Sequence, residues 1–229
     1  HQRLQREAVL WLAARGQLAA LVMEMAESGH STQSLPQGAT EAQVQAALQW
    51  NDAAWPWKAY GPVVMAAVAA GVPVLGGNLP RAQMRAAMQE PAWDQHLPPA
   101  ALARQITALR DGHCGLLPES QFAPMARIQL ARDEAMAGVT VAAVKNAGPG
   151  QTVLLVAGRG NVRRDIGVPA WLPENLKSKV AIAQSNKAQD AINLKADKLL
   201  TLTGNPSKDQ CAELREQWKK PPAPKPQGS

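Results

Sequence analysis

The chain has 229 residues, 46% of them hydrophobic, enough for one large domain with an ordinary globular core. Its 24 Lys and Arg against 18 Asp and Glu give a net charge of +6, which favours an anionic partner. The basic residues are scattered and form no nucleic-acid-binding motif, and no run approaches the roughly 18 apolar residues that cross a bilayer.

In chain order, the sequence opens at His1 without an initiator Met, which reads as a processed or truncated N-terminus. Residues 2–15 are expected to be helical, with Leu4, Ala8, Trp11 and Leu12 on one face and Gly16 as the stop. Leu18 to Met25 reads as a buried strand, a short apolar run without alternation that ends at Glu24, and 28–40 as a loop. Thr40 is the expected N-cap of a short helix reaching Leu48. Pro56 stands near the start of a second helix, 57–70, which carries Tyr60 and ends at Gly71. A buried strand over 72–79 finishes in Gly76-Gly77-Asn78-Leu79-Pro80-Arg81, and a helix follows from Arg81. Residues 82 to about 148 are mostly helical, broken at Pro98-Pro99 and at Gly112-His113-Cys114-Gly115, and the longest helix runs over about 120–146. Further strands are expected at 153–157, 180–183 and 198–203, and the Pro-rich stretch 221–229 reads as a disordered tail.

Strands separated by helices imply an α/β fold, a mostly parallel sheet flanked by helices. The stretch 82–148 is too long for one crossover and is expected to form a smaller all-helical subdomain. Ligands of open parallel sheets sit outside the carboxyl ends of the strands. That rule puts Glu24, Asn78, Arg81 and the run Asn161-Val162-Arg163-Arg164 on one functional edge.

Tyr60 is the single tyrosine, set among Trp50, Trp55 and Trp57 in a chain with one phenylalanine. A phenol beside a wide apolar surface suits a flat cofactor, and tyrosinate is an axial ligand of haem iron. The alternative is a half-buried residue packed on an amphipathic helix. In Gly158-Arg159-Gly160-Asn161-Val162-Arg163-Arg164-Asp165 the glycines allow a tight turn after a strand, and the two later arginines can pair with carboxylates. It lacks the third glycine of a dinucleotide-binding loop. Arg81 adds an arginine at another strand end, and Arg132 and Asp133 either face the site or form a surface pair.

The four histidines, His1, His30, His96 and His113, have no metal-ligand spacing, and nothing assembles a nucleophile with a base, so an enzyme is not supported. His113, beside Cys114, is a candidate iron or propionate contact or a structural loop residue. Cys114 and Cys211 either pair, as an oxidising compartment allows, or remain two thiols.

Several stretches occur in the order found in one family: His1 to Glu7, Leu21-Val22-Met23-Glu24-Met25 and Trp55-Pro56-Trp57-Lys58-Ala59-Tyr60. They continue with Asn78-Leu79-Pro80-Arg81, Gly112 to Pro118, Gln129 to Ala137 and Gly158 to Pro169. Over about residues 1–185 the chain resembles the ChaN-like haem-binding uptake proteins, lipoproteins of Gram-negative bacteria. The resemblance implies one haem-binding domain over 1–220 and a role in haem and iron acquisition. It implies a homodimer that encloses two haems face to face, each iron taking a tyrosine from one subunit while a histidine and a lysine of the other hold the propionates. Tyr60 is then the iron ligand and Lys58 the candidate lysine, with Trp55 and Trp57 near the porphyrin. The family's usual histidine after the late Gly-x-Gly is Asn161 here, leaving Arg163 or Arg164 to take its place. The family's strand ahead of the His1 segment is not in this sequence, so the sheet is expected to be one strand short.

The resemblance further implies a lipid anchor, a position on the periplasmic face of a membrane, and an outer-membrane haem receptor as partner. Two other readings stand beside it. One is a hydrolase or metalloprotease-like enzyme of a related fold, with Glu24 and His113 as remnants of its site. The other is an interaction module whose pocket has decayed.

Overall fold

The computed structural model describes residues 1–185, 196–202 and 210–219; the stretch 221–229 lies outside them. The framework is a three-stranded parallel sheet of order β2-β1-β3, made of β1 (Leu18–Glu27), β2 (Val74–Asn78) and β3 (Thr152–Val156). As the middle strand, β1 is covered on both faces, which is why residues 18–23 are apolar without alternation before the strand reaches Glu24. Leu21, Val22 and Met23 are fully buried, each contributing about 1.5–3 kcal/mol of hydrophobic stabilisation.

Side-chain alternation along the strands divides two cores. Leu21, Met23, Met25, Leu154 and Val156 join the core formed with α1 (Gln2–Ala13), α2 (Glu41–Ala47) and α3 (Trp57–Ala69). On the opposite face Leu155 and Ala157 pack with Met136 and Ala137 of α6 (Phe122–Lys145). The 24-residue α6 also packs on α4 (Arg81–Gln89) and α5 (Pro99–Gly112). Only helices and short 3-10 turns occur between Arg81 and Lys145. The α/β class with parallel strands and flanking helices is therefore as the sequence implies.

Local signals set the ends of the helices that carry the site. Thr40 accepts from the Gln43 backbone while the Gln43 side chain accepts from the Thr40 backbone, a reciprocal cap that starts α2. The Asp52 carboxylate takes the backbone N–H of Trp57 at 2.6 Å, satisfying a donor that the first turn of α3 leaves open.

The strands do not form one sheet. Among the described residues, β4 (Ala181–Ser185) and β5 (Lys198–Leu202) make a separate parallel pair, and β3 is left as an edge of the first sheet. Between Val156 and Ala181 the chain forms loops and one short 3-10 turn, Val168–Trp171, with no crossover helix to seat β4 beside β3. No described helix is long and apolar enough to cross a membrane.

Candidate ligand-binding site

The gap between the two sheets is a cleft of about 880 Å³, within the range of small-molecule and cofactor sites. One wall is the free edge of β3, Leu154 to Val156, continued by Ala157 and Gly158. The facing wall is Ala181, Ile182 and Ala183 of β4 with Leu200 of β5. The amino-terminal turns of α1 contribute Leu4, Gln5 and Ala8, and Cys211 of α7 (Gln210–Lys219) adds a sulfur.

Tyr60 and Trp55 both line this cleft. Trp55 stands edge-on to Tyr60 with ring centroids 5.9 Å apart, and Trp50 is tilted against the phenol at 6.3 Å. Trp50 is itself fixed by its indole N–H, which donates to the Trp55 carbonyl at 2.7 Å. The tyrosine is thus held by two indoles that are tied to each other. Among the described residues its hydroxyl has no hydrogen-bond partner.

Trp57 turns the other way. It is buried, its indole N–H donates to Glu41 at 2.7 Å, and its ring lies across Gly61, where a Cβ would come within 2.6 Å of it. Trp57 therefore sets the start of α3 and does not line the cleft. Lys58, one residue on, is exposed at the same helix end.

At the carboxyl end of the strands lies a buried polar network. Glu24, 4% exposed, accepts from Arg132 Nη2 at 2.5 Å and from the Gly158 backbone N–H at 2.5 Å. Arg132 Nε also donates to Asn78 Oδ1 at 2.9 Å, and Asn78 Nδ2 donates to the Glu24 carbonyl at 2.9 Å. The Gly158 position is tight as well as hydrogen-bonded, since a Cβ there would stand 3.2 Å from the Glu24 carboxylate. Deeper still, burial pushes the Asp133 carboxyl well above the ordinary carboxylate range, only partly opposed by the Gln129 amide donating to it at 3.3 Å.

The structure sorts the other candidates. Asn161 is buried, its side-chain oxygen taking the Gln129 amide and its carbonyl the Val168 N–H at 2.7 Å, so it braces the loop. Arg163 pairs with Asp165, which also takes Arg104. Burial alone would raise the Asp165 carboxyl, but these two arginines hold it below the usual range. Arg164 binds the Ser178 carbonyl at 2.8 Å and Asp197. Arg81 is exposed, and its backbone N–H donates to Glu27 at 3.1 Å. His113 caps the end of α5 with Nδ1 2.8 Å from the Leu109 carbonyl. Cys114 and Cys211 are bridged. None of Lys58, Trp57, Asn161, Arg163, Arg164, Arg81 and His113 lines the cleft.

Sequence reasoning passed over Arg159, the arginine that does line it. Its signal was position, directly after the β3 edge and between Gly158 and Gly160. Glu24 also reaches the cleft, but its charge is met by Arg132, so Arg159 leaves the lining electropositive. Among the described residues no group of three or more His, Cys, Asp and Glu could hold a bare metal ion.

Residues 1–172 match the family described as haem-binding uptake, Tiki superfamily, ChaN. The chain belongs to this family. A solved structure, "Cofacial heme binding to ChaN of Campylobacter jejuni", shares the fold with a TM-score of 0.57 at 18% identity, covering 90% of this chain and 76% of that one. No curated protein matches the chain. Membership of the ChaN family makes haem the cofactor against which the cleft is judged. An apolar slot of cofactor size, a phenol with an uncommitted oxygen and one arginine for a carboxylate agree with that group.

Proposed function

We propose that this chain is a haem-binding protein of bacterial haem and iron acquisition, with Tyr60 as the iron ligand. The observation that carries the reading is that the lone tyrosine opens onto an 880 Å³ cleft beside Trp55, with its hydroxyl uncommitted. A phenolate is a hard anionic donor suited to ferric iron, and a single axial tyrosine is enough to hold a haem. Trp55 gives the porphyrin an aromatic wall. Arg159 takes the propionate role expected of Arg163 or Arg164, because those two are occupied by Asp165 and Asp197. Haem supplies the iron centre; the protein supplies the ligand, the apolar walls and the counter-charge.

A homodimer is part of the proposal. The Campylobacter jejuni relative binds haem cofacially. Lys58, exposed two residues before Tyr60, would meet the propionate of a haem carried by a second subunit. The Cys114–Cys211 bridge agrees with an oxidising compartment, and hence with a lipid-anchored position on the periplasmic side that receives haem from an outer-membrane receptor. An acid–base role for Glu24 is not favoured, since Arg132 and the Gly158 N–H already engage its carboxylate.

Titration of the purified protein with hemin, followed by absorption and by sedimentation, tests the reading. Saturation at one hemin per chain with dimer formation is expected. A protein that shows no saturable change in the hemin spectrum contradicts it.

A further inference from the structure

Arg159 reaches the cleft from the middle of a four-residue turn whose two ends are held in the buried polar layer. The turn closes where the Asn161 N–H donates to the Gly158 carbonyl at 3.0 Å, leaving the exposed Arg159 and Gly160 at its centre. Its first end is tied by the Gly158 N–H, which donates to Glu24 at 2.5 Å. Its second end is Asn161, 5% exposed, whose carbonyl accepts the Val168 N–H at 2.7 Å. The Asn161 side-chain oxygen is met by the amide of Gln129 on α6, 32 residues away. The same amide nitrogen donates to Asp133 Oδ1 at 3.3 Å, one turn further along α6, so each of its two hydrogens has an acceptor. Neither Gln129 nor Asn161 lines the cleft.

We propose that Gln129 is a positioning residue of the cleft: by bonding Asn161 it fixes the turn that presents Arg159, and so sets the preference of the site for a ligand with a free carboxylate. The proposal takes that carboxylate from the haem reading above, whereas the brace itself belongs to the chain without ligand. An arginine whose backbone is already in place has less freedom to lose when it meets an anion, so more of the charge-assisted bond is kept as affinity. Without the Gln129 donor, the Asn161 oxygen is buried with its partner gone, a costly arrangement. Rotating Asn161 toward water relieves it, opens the closure to Gly158 and lets Arg159 swing off the cleft edge. Glu24 does not make up the loss, because it holds the opposite end of the turn.

The experiment has two readouts. Affinities for hemin and for hemin dimethyl ester are measured by absorption titration of wild type, Gln129→Met and Asn161→Ala, each with and without Arg159→Ala. Separately, amide hydrogen exchange is followed by NMR in the same proteins without hemin. Gln129→Met and Asn161→Ala are each expected to bind hemin about fivefold more weakly, with ester affinity unchanged and no further loss when Arg159→Ala is already present. The Asn161 and Val168 amides are expected to exchange faster, with β1 unchanged. Wild-type hemin affinity in both variants overturns the proposal while leaving haem binding intact. An equal loss for hemin and its ester, or a loss that persists beside Arg159→Ala, also overturns it, since the site has then loosened as a whole. Variants that do not fold overturn it too, because the pair then holds the fold and not the turn. Should wild type take up no hemin, the haem reading fails and exchange alone decides: faster Asn161 and Val168 amides uphold the brace, and unchanged ones overturn it.

Discussion

Arg132 meets Glu24 at 2.5 Å across 108 residues of sequence, joining the middle of α6 to the central strand. Both groups are largely out of water, with side-chain exposures of 21% and 6%. Removing one partner of such a pair strands the other charge, at a cost of about 3–5 kcal/mol. Arg132→Met is therefore expected to lower the urea unfolding free energy by about 3 kcal/mol. Arg132→Lys should recover only part of this, because a lysine cannot bond Glu24 and Asn78 through a fixed fork. An Arg132→Met protein as stable as the wild type would show that the network does not hold the strand ends together.

Asp133 provides a pH test of the same buried layer. Burial raises its folded-state pKa above the unfolded value. Its contribution to stability is therefore complete below the unfolded pKa and is lost as pH rises through the folded one. Asp133→Asn cannot ionise, so its urea midpoint should fall less than that of the wild type between about pH 4 and pH 8. Parallel pH profiles for the two proteins would contradict the assignment.

The arginines after β3 should separate by role. Arg159→Ala is expected to weaken hemin binding by about tenfold, since a charge-assisted hydrogen bond is lost, with little change in unfolding free energy. The loss should vanish with hemin dimethyl ester, which has no free carboxylates. Arg163→Ala should do the reverse, lowering stability through Asp165 and leaving hemin affinity near the wild-type value. Equal hemin affinities for Arg159→Ala and wild type would remove Arg159 from the site.

Much of the fold was legible because the signals were local. The apolar run 18–23 of β1 marks a strand covered on both faces, Thr40 and Gln43 announce a helix start, and Gly71, at φ 72°, stops α3. The separate β4–β5 pair was not legible, because strand partners are chosen by tertiary packing and not by the strand's own residues. Nor was the added length of β1, whose last residue, Glu27, pairs with Asn78 only past an irregular register.

The site divides in the same way. Tyr60 and Trp55 stood out as a lone phenol beside an indole, and the helix start places both on the cleft. Trp57 looks equivalent in sequence, yet its ring is drawn inward by Glu41 and by the space above Gly61. Choosing among Arg159, Arg163 and Arg164 required knowing their acceptors. One of these, Asp197, comes from 33 residues along the chain.

The central claim is that the Tyr60 oxygen binds haem iron. Hemin is titrated into wild type and Tyr60→Phe, following the ferric absorption bands and the affinity in parallel with the unfolding free energy. The expected result is a folded Tyr60→Phe protein that has lost the phenolate-to-iron charge-transfer absorption and binds hemin at least about tenfold more weakly. A Tyr60→Phe protein with the wild-type ferric spectrum and affinity would contradict the account.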